Sequence, residues 1–343
     1  MRKLMNTLYV TSPDTYLSLD GENIVVLQDD NEKIRVPMHN LNGVVTFGYT
    51  GASPALMGYC AKNDIALTFL SRSGRFLARI TGETRGNVVL RREQYRVADD
   101  GFKSLAIAKN CIIGKIYNSK SVVKRTMRDH GHRINMDQFE KIVIQLQDSL
   151  TLVHQANSLD ELRGYEGKAA VMYFSILDQL ILQQKDSFYF HSRNKRPPLD
   201  NMNAMLSFVY TLLAHETSAA LESVGLDPYV GFLHTDRPGR ISLALDMMEE
   251  LRSIFADRFV ISLVNKRIVN ENGFEKQENG AVIMTDSTKK EILRNWQERK
   301  QDKIKHPFLN ENIEWGLVPY VQAMLLARFL RGDLDEYPPF MWK

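Results

Sequence analysis

Between Leu4 and about Ile80 the hydrophobic positions fall in short runs: LYV, TYLSLD, NIVVL, KIRVP, GVVTF, IALTFL and RFLARI. These runs are rich in β-branched residues and alternate with polar ones, and turn residues such as Asp20-Gly21 and Asp29-Asp30-Asn31 separate them, so the pattern predicts strands. One segment departs from it: PALMGYCAK, Pro54 to Lys62, has helical rather than alternating spacing. From Asn87 onward the period becomes helical throughout. Leu105, Ala108, Ile112 and Ile116 form one stripe, and Phe139, Ile142, Ile144, Leu146 and Leu150 a broader apolar surface. Lys266 to Met284 interrupts the helices, with Asn272-Gly273 and Asn279-Gly280 between β-prone runs, as in a hairpin. The ending DEYPPFMWK is proline-broken and aromatic, suited to a strap on the body or a partner contact. The fold class expected is α+β: a small, mostly β domain over residues 1–85, then a larger, mainly α-helical domain over 86–343 with an inserted hairpin.

The densest chemistry lies in GLDPYVGFLHTDRPGRISLALDMMEELR, Gly225 to Arg252. Pro228, Gly231, Pro238 and Gly239 punctuate its first half, which places His234 on a loop ahead of a helix beginning near Ile241. In that helix Leu243, Met247, Leu251 and Ile254 recur as a buried stripe, and Ser242, Asp246, Glu249 and Ser253 share another face. Two carboxylates and an imidazole are the donors that suit magnesium or manganese, although acidic residues three apart also occur on plain solvated faces. A second acid comes from SLDE, Ser158 to Glu161, a capping box opening a helix through Leu162, Glu166, Ala169, Ala170 and Tyr173. Glu166 stands between Gly164 and Gly167, at a cost of roughly 1 kcal/mol per helical glycine, which suggests a close approach by backbone or ligand. His215-Glu216 does not continue into a zinc-protease motif, because position 219 is Ala. Asp200 and Asn201 are both suited to cap the helix that follows them.

Composition changes this picture little. Two cysteines, Cys60 and Cys111, without a CxxC pair indicate neither a disulfide framework nor a zinc knuckle. No signal peptide or run of about 20 apolar residues is visible, so a cytoplasmic protein without a membrane span is expected. The net charge of +3 is too small to argue for nucleic acid by itself. Its distribution is more suggestive: one basic cluster runs from Lys115 to Arg133, another is Arg193, Lys195 and Arg196, and a third runs from Lys289 to Lys305. An isolated cluster of this kind is usually a soluble surface, but a phosphodiester brought to carboxylates needs compensating cations.

Four stretches together resemble the CRISPR-associated endonuclease and integrase family, the universal catalytic subunit of CRISPR spacer acquisition. They are GYEGKAAVMYF around Glu166, RNKRPPLDNMNAMLSFVYTLL from Arg193 to Leu213, GLDPYVGFLH ending at His234, and SLALDMMEELR with Asp246 and Glu249. The resemblance implies a divalent metal, Mg2+ or Mn2+, held by Glu166, His234 and Glu249, with Asp246 at a second acidic position as ligand or support. It implies insertion of foreign DNA fragments into a CRISPR array by 3′-hydroxyl transesterification. It further implies double-stranded DNA as partner, a homodimer formed through the β domain, and a heterohexameric complex with a small non-catalytic subunit. Tyr165, Arg193, Lys195, Arg196, Arg237 and Arg240 are the candidate DNA-binding residues. A stand-alone metal-dependent nuclease acting on branched DNA in repair would use the same residues, and a non-catalytic DNA-binding scaffold would leave the acids structural.

Overall fold

We describe a computed structural model covering residues 6–342 apart from 13, 30, 48, 64, 72–75, 81 and 83–86. Leu4, Asp30 and Arg75, which fall in the runs and turns read from the sequence, lie outside the described residues. The first element is β1 (Asn6–Val10), followed by an antiparallel meander of β2 (Thr15–Asp20), β3 (Asn23–Gln28) and β4 (Asn31–Pro37). Gly21, at φ +58°, makes the β2–β3 turn in a conformation that favours glycine. Next come β5 (Leu41–Phe47), α1 (Pro54–Lys62), β6 (Ala66–Leu70) and β7 (Phe76–Ile80). These give a second sheet in the order β1-β5-β6-β7, parallel except for the last pair. Helix α1 is the crossover between parallel β5 and β6; it opens with Pro54 at its first position and Ser53 Oγ accepting from the Leu56 amide. Leu17, Ile24, Met38, Val44, Leu56 and Leu67 meet in this region's core, each fully buried.

The chain then turns helical. Helices α2 (Val88–Asp99), α3 (Gly101–His130), α4 (Met136–Gln155), α5 (Leu159–Ser175) and α6 (Leu177–Leu180) precede α7 (Asn201–Ser223), α8 (Ser242–Met248) and α9 (Arg258–Asn265). A hairpin of β8 (Phe274–Lys276) and β9 (Val282–Met284) has Asn279-Gly280 in its turn, while Asn272-Gly273 falls in a 3-10 turn just before β8. After it come α10 (Asp286–Gln301), the short pair β10 (Lys303–Lys305) and β11 (Asn312–Glu314), and α11 (Val318–Leu330). Packing divides the described residues into two compact units. One gathers residues of Met1–Gly86 with Met284–Asp302 and Glu314–Gly316, so that α10 belongs with the strands; the other gathers Asn87–Ile283, Lys303–Ile313 and Leu317–Lys343.

Within the second unit α3 is the central helix, packed against α4, α5, α8 and the segment after α8. Its stripe of Leu105, Ala108, Ile112 and Ile116 is buried, and a buried leucine or isoleucine contributes about 1.5–3 kcal/mol. Ile144 departs from the expected apolar surface of α4: it is 61% exposed, because the buried stripe of that helix follows Phe139, Ile142, Leu146, Leu150 and Val153. Among the described residues no helix is long and apolar enough to cross a membrane.

Candidate active site

The helix read from Ile241 onward is not one α-helix. Helix α8 ends at Met248, Glu249–Leu251 tightens into a 3-10 turn, and Arg252–Asp257 widens into a π-helix before α9 resumes. Irregular turns of this kind inside helices concentrate at functional sites, since they redirect side chains that a uniform helix would hold in register. The stripe Leu243, Met247, Leu251 and Ile254 is buried as expected. The polar face is buried too: Ser242, Asp246, Glu249 and Ser253 all lie at 4% exposure or less, which excludes a solvated acidic face.

The loop bearing His234 is held from three sides. Gln94 of α2 donates to the carbonyls of Asp227 and Val230 at 2.7 and 2.9 Å and accepts from the Asp227 amide. Arg163 of α5 donates to the Leu233 carbonyl at 2.7 and 3.2 Å. Asp246 receives the rest: its Oδ2 accepts from the amides of Phe232 and Leu233 at 2.7 and 2.9 Å, and its Oδ1 from the His234 amide at 3.0 Å. The same Oδ1 lies 2.5 Å from His234 Nδ1. Asp246 is therefore saturated as an acceptor and acts as the organiser of the loop and of the imidazole. With Nδ1 committed, Nε2 is the nitrogen left for a ligand. Gly231 is required here, because a Cβ on it would stand 2.8 Å from Asp246 Oδ2 and from Ser242 Cβ.

Glu166 reaches the site from α5, which Ser158 caps by accepting from the Glu161 amide at 3.2 Å; the returning Glu161 carboxylate takes the amide of Asn157. Lys115 of α3 bridges the two glutamates, with its ammonium on Glu166 Oε1 and 2.8 Å from Glu249 Oε2. The second contact is an ion pair outside hydrogen-bonding angles, so Glu249 Oε2 is buried without a hydrogen bond. Glu249 Oε1 pairs with Arg252 Nη2 at 3.0 Å. Burial alone would push the Glu249 carboxyl up, but Arg252 and Lys115 more than reverse that and hold it down at about 2. Burial likewise disfavours the charged Lys115, and Glu249 and Glu166 outweigh it to raise its pKa.

Arg252 is itself fixed over the ring of Tyr210, 5.1 Å from its centre, and Arg193 lies 5.3 Å from the same ring. The Tyr210 hydroxyl donates to Asp257 at 2.5 Å, and the Tyr173 hydroxyl is buried beside the same carboxyl. Burial pushes the Asp257 carboxyl up to about 6 against those neighbours.

The sequence-derived DNA contacts separate into two groups. Arg193 is committed inward, donating to Asn203 Oδ1 at 2.8 Å and Ser207 Oγ at 3.0 Å, so its side chain buttresses the start of α7. Asp200, not Asn201, caps that helix. Lys195, Arg196 and Arg237 are exposed, while Tyr165 and Arg240 are half-buried. Lys195 lies within electrostatic reach of Arg252 and Glu249; burial and the neighbouring guanidinium groups lower its pKa. Lys115 leaves the basic surface run altogether, and in the third basic cluster Lys289, Arg294 and Arg299 pair with Asp286, Glu291 and Asp302. Neither Gly164 nor Gly167 is crowded by the rest of the chain, for a Cβ at either meets nothing within 4 Å.

Sequence reasoning placed Lys115 in a basic surface run and Gly231 among the turn residues, and gave neither of them, nor Arg252, a place in the site. Arg252 carried a signal in its spacing of three from Glu249. Among the described residues no three histidine, cysteine, aspartate or glutamate side chains are drawn together as a ligand group. The donor set nevertheless fits a hard divalent ion: two carboxylates already share one cation, Glu249 keeps an oxygen without a hydrogen bond, and a carboxylate fixes the imidazole at its other nitrogen.

A family model described as CRISPR associated protein Cas1 matches residues 8–298. The CRISPR-associated endonuclease Cas1 1 of Chlorobaculum tepidum is 46% identical over 343 residues, all of this chain and all of that protein. Among solved structures, a casposase bound to integration product has a TM-score of 0.83 at 23% identity, covering 97% of this chain and 92% of that one. A Cas6-RT-Cas1–Cas2 complex also gives 0.83, at 22% identity, over 99% of this chain and 36% of that one. At such identities these likenesses speak for the fold.

Proposed function

The chain belongs to the CRISPR-associated Cas1 family, and from that premise we propose that it is a metal-dependent DNA endonuclease and integrase that inserts short foreign DNA fragments as new spacers into a CRISPR array. The observation that carries this reading is the pair of glutamates sharing one cation beside an imidazole oriented by Asp246. Glu166, His234 and Glu249 would hold Mg2+ or Mn2+, with Asp246 as support rather than ligand, since its oxygens are already taken. A bound divalent ion supplies charge stabilisation for an in-line displacement at phosphorus.

The chain's own residues do the rest. Arg252 and Lys115 hold the Glu249 carboxyl below the usual carboxylate range, and Asp246 engages His234 Nδ1 so that Nε2 is the nitrogen left for a ligand. Lys195 and Arg196, exposed near this centre, are the cations for the DNA backbone, which they would bind without sequence choice. In strand transfer the 3′-hydroxyl oxygen of the fragment attacks the array phosphorus. A new phosphodiester forms as the bond to the array's own 3′-oxygen breaks, and the proton passes to solvent or base. The number of phosphodiesters is conserved, so no nucleotide cofactor is needed. Joining both strands takes two sites, which fits a homodimer formed through the strand-rich unit. The complex with Cas2 among the structural neighbours supports a small non-catalytic subunit as partner.

The test is a strand-transfer assay with the small partner, a short duplex with free 3′-hydroxyls and a plasmid bearing a CRISPR array. Metal-dependent joined products, lost in both Glu166→Ala and His234→Ala, are expected. Products that persist in either folded variant would overturn the site, and cleavage without joining would favour the repair nuclease.

A further inference from the structure

Two positive groups face Glu249, and they are held differently. Arg252 is locked, stacked 5.1 Å from the Tyr210 ring centre and paired at 3.0 Å with Oε1. Lys115 ends a flexible four-carbon stem and meets Oε2 at 2.8 Å outside hydrogen-bonding angles, while its ammonium also holds Glu166. Lys115 and Arg252 already bring two positive charges onto the two glutamates. A divalent ion added to that set would stand against two cations within a few ångströms, in surroundings where the lysine side chain is only 14% exposed. One cation has to leave, and the stacked arginine is not free to do so.

We infer that Lys115 is a displaceable occupant of the cation position: it holds Glu166 and Glu249 together when no metal is bound and withdraws when a divalent ion enters. The inference rests on the metal reading given above. It explains why two glutamates from different helices can be buried facing one another, where an unpaired pair of like charges would raise a carboxyl pKa. It also makes metal binding and the lysine bridge mutually exclusive, a negative coupling that weakens the apparent metal affinity and sets a threshold for activation.

The experiment uses the full chain and Mn2+ alone. In wild type, acylation of Lys115 by an amine-reactive reagent, followed by mass spectrometry, is expected to be slow with chelator and faster by roughly tenfold in saturating Mn2+, the scale of coupling between two ligands that exclude each other. Lys115→Met is expected to lower the melting temperature in chelator, to bind Mn2+ roughly tenfold more tightly by calorimetry, and to gain more from Mn2+ on melting than wild type. Mn2+ that binds wild type while leaving Lys115 equally protected, or that binds the methionine variant no more tightly, overturns this inference alone. Absence of Mn2+ binding to both proteins overturns it together with the metal reading.

Discussion

Replacing Asp246 by asparagine tests how the His234 loop is built, because the change keeps shape and removes acceptors. The carboxylate takes four donors: the Phe232 and Leu233 amides on Oδ2, and the His234 amide and Nδ1 on Oδ1. An asparagine has one acceptor oxygen; with its NH2 turned to the Oδ2 position it meets the Phe232 and Leu233 amides, two N–H donors. A hydrogen bond to a charged acceptor contributes about 1.5–3 kcal/mol, and losing two costs about 3–6 kcal/mol of local order. At about 1.4 kcal/mol per factor of ten, amides 232–234 should lose roughly 100-fold or more of their protection from hydrogen exchange. Amides in the buried middle of α7, such as Leu212 and Leu213, should be unchanged. Because the same substitution frees the imidazole, strand-transfer activity should fall by about 10–100-fold, the usual effect of removing the partner of a metal-binding histidine. Protection at 232–234 within about fivefold of wild type would refute the reasoning, since it would mean that the carboxylate does not hold the loop.

Gly231→Ala places a methyl group 2.8 Å from Asp246 Oδ2, so the loop must shift; a loss of about 1–3 kcal/mol on thermal denaturation is expected, with activity falling in parallel. Glu250, next along from Glu249, is buried and accepts from Tyr337 Oη and Gln322 Nε2 at 2.7 and 2.9 Å, yet burial pushes its carboxyl up to about 7. A folded pKa above the unfolded value of 4.5 stabilises the fold below pH 4.5, and the contribution disappears as pH rises toward 7. Glu250→Gln should therefore flatten the pH dependence of stability between about 4.5 and 7 by on the order of 3 kcal/mol, read from melting curves across that range. For Lys195→Ala with Arg196→Ala, duplex binding measured over a salt series should weaken, and the log–log salt slope should shrink by up to about 2, with no change in sequence preference.

The strands, helix α1 and the hairpin turning at Asn279-Gly280 were legible because alternating runs, helical spacing and an Asn-Gly step each act over a few residues, whereas the parallel crossover that α1 makes was not. His234 on a loop ahead of α8 was legible for the same reason. Two features could not be read locally. A uniform 3.6-residue period predicts one helix from Ile241 to Ile254, whereas packing converts Glu249–Asp257 into a tight turn and a wide one. Lys115 reads as the first of a surface run, and only the approach of α5 and the segment after α8 to α3 turns it into the bridge between Glu166 and Glu249. Arg193 was likewise drawn to phosphate by its basic neighbours, while Asn203, Ser207 and Tyr210 on one face of α7 draw it inward.

The tail reading resolves into the strap: Phe340 and Trp342 donate through their amides to Glu250 and Asn118, and Trp342 lies under Arg125 and Arg258.

Whether Glu166, His234 and Glu249 hold one divalent ion is decided by anomalous diffraction from crystals of the protein soaked in Mn2+. A single strong peak ligated by Glu166, Glu249 and His234 Nε2 is expected, with Asp246 still on Nδ1. A peak elsewhere, or none at these side chains in saturating Mn2+, would contradict it.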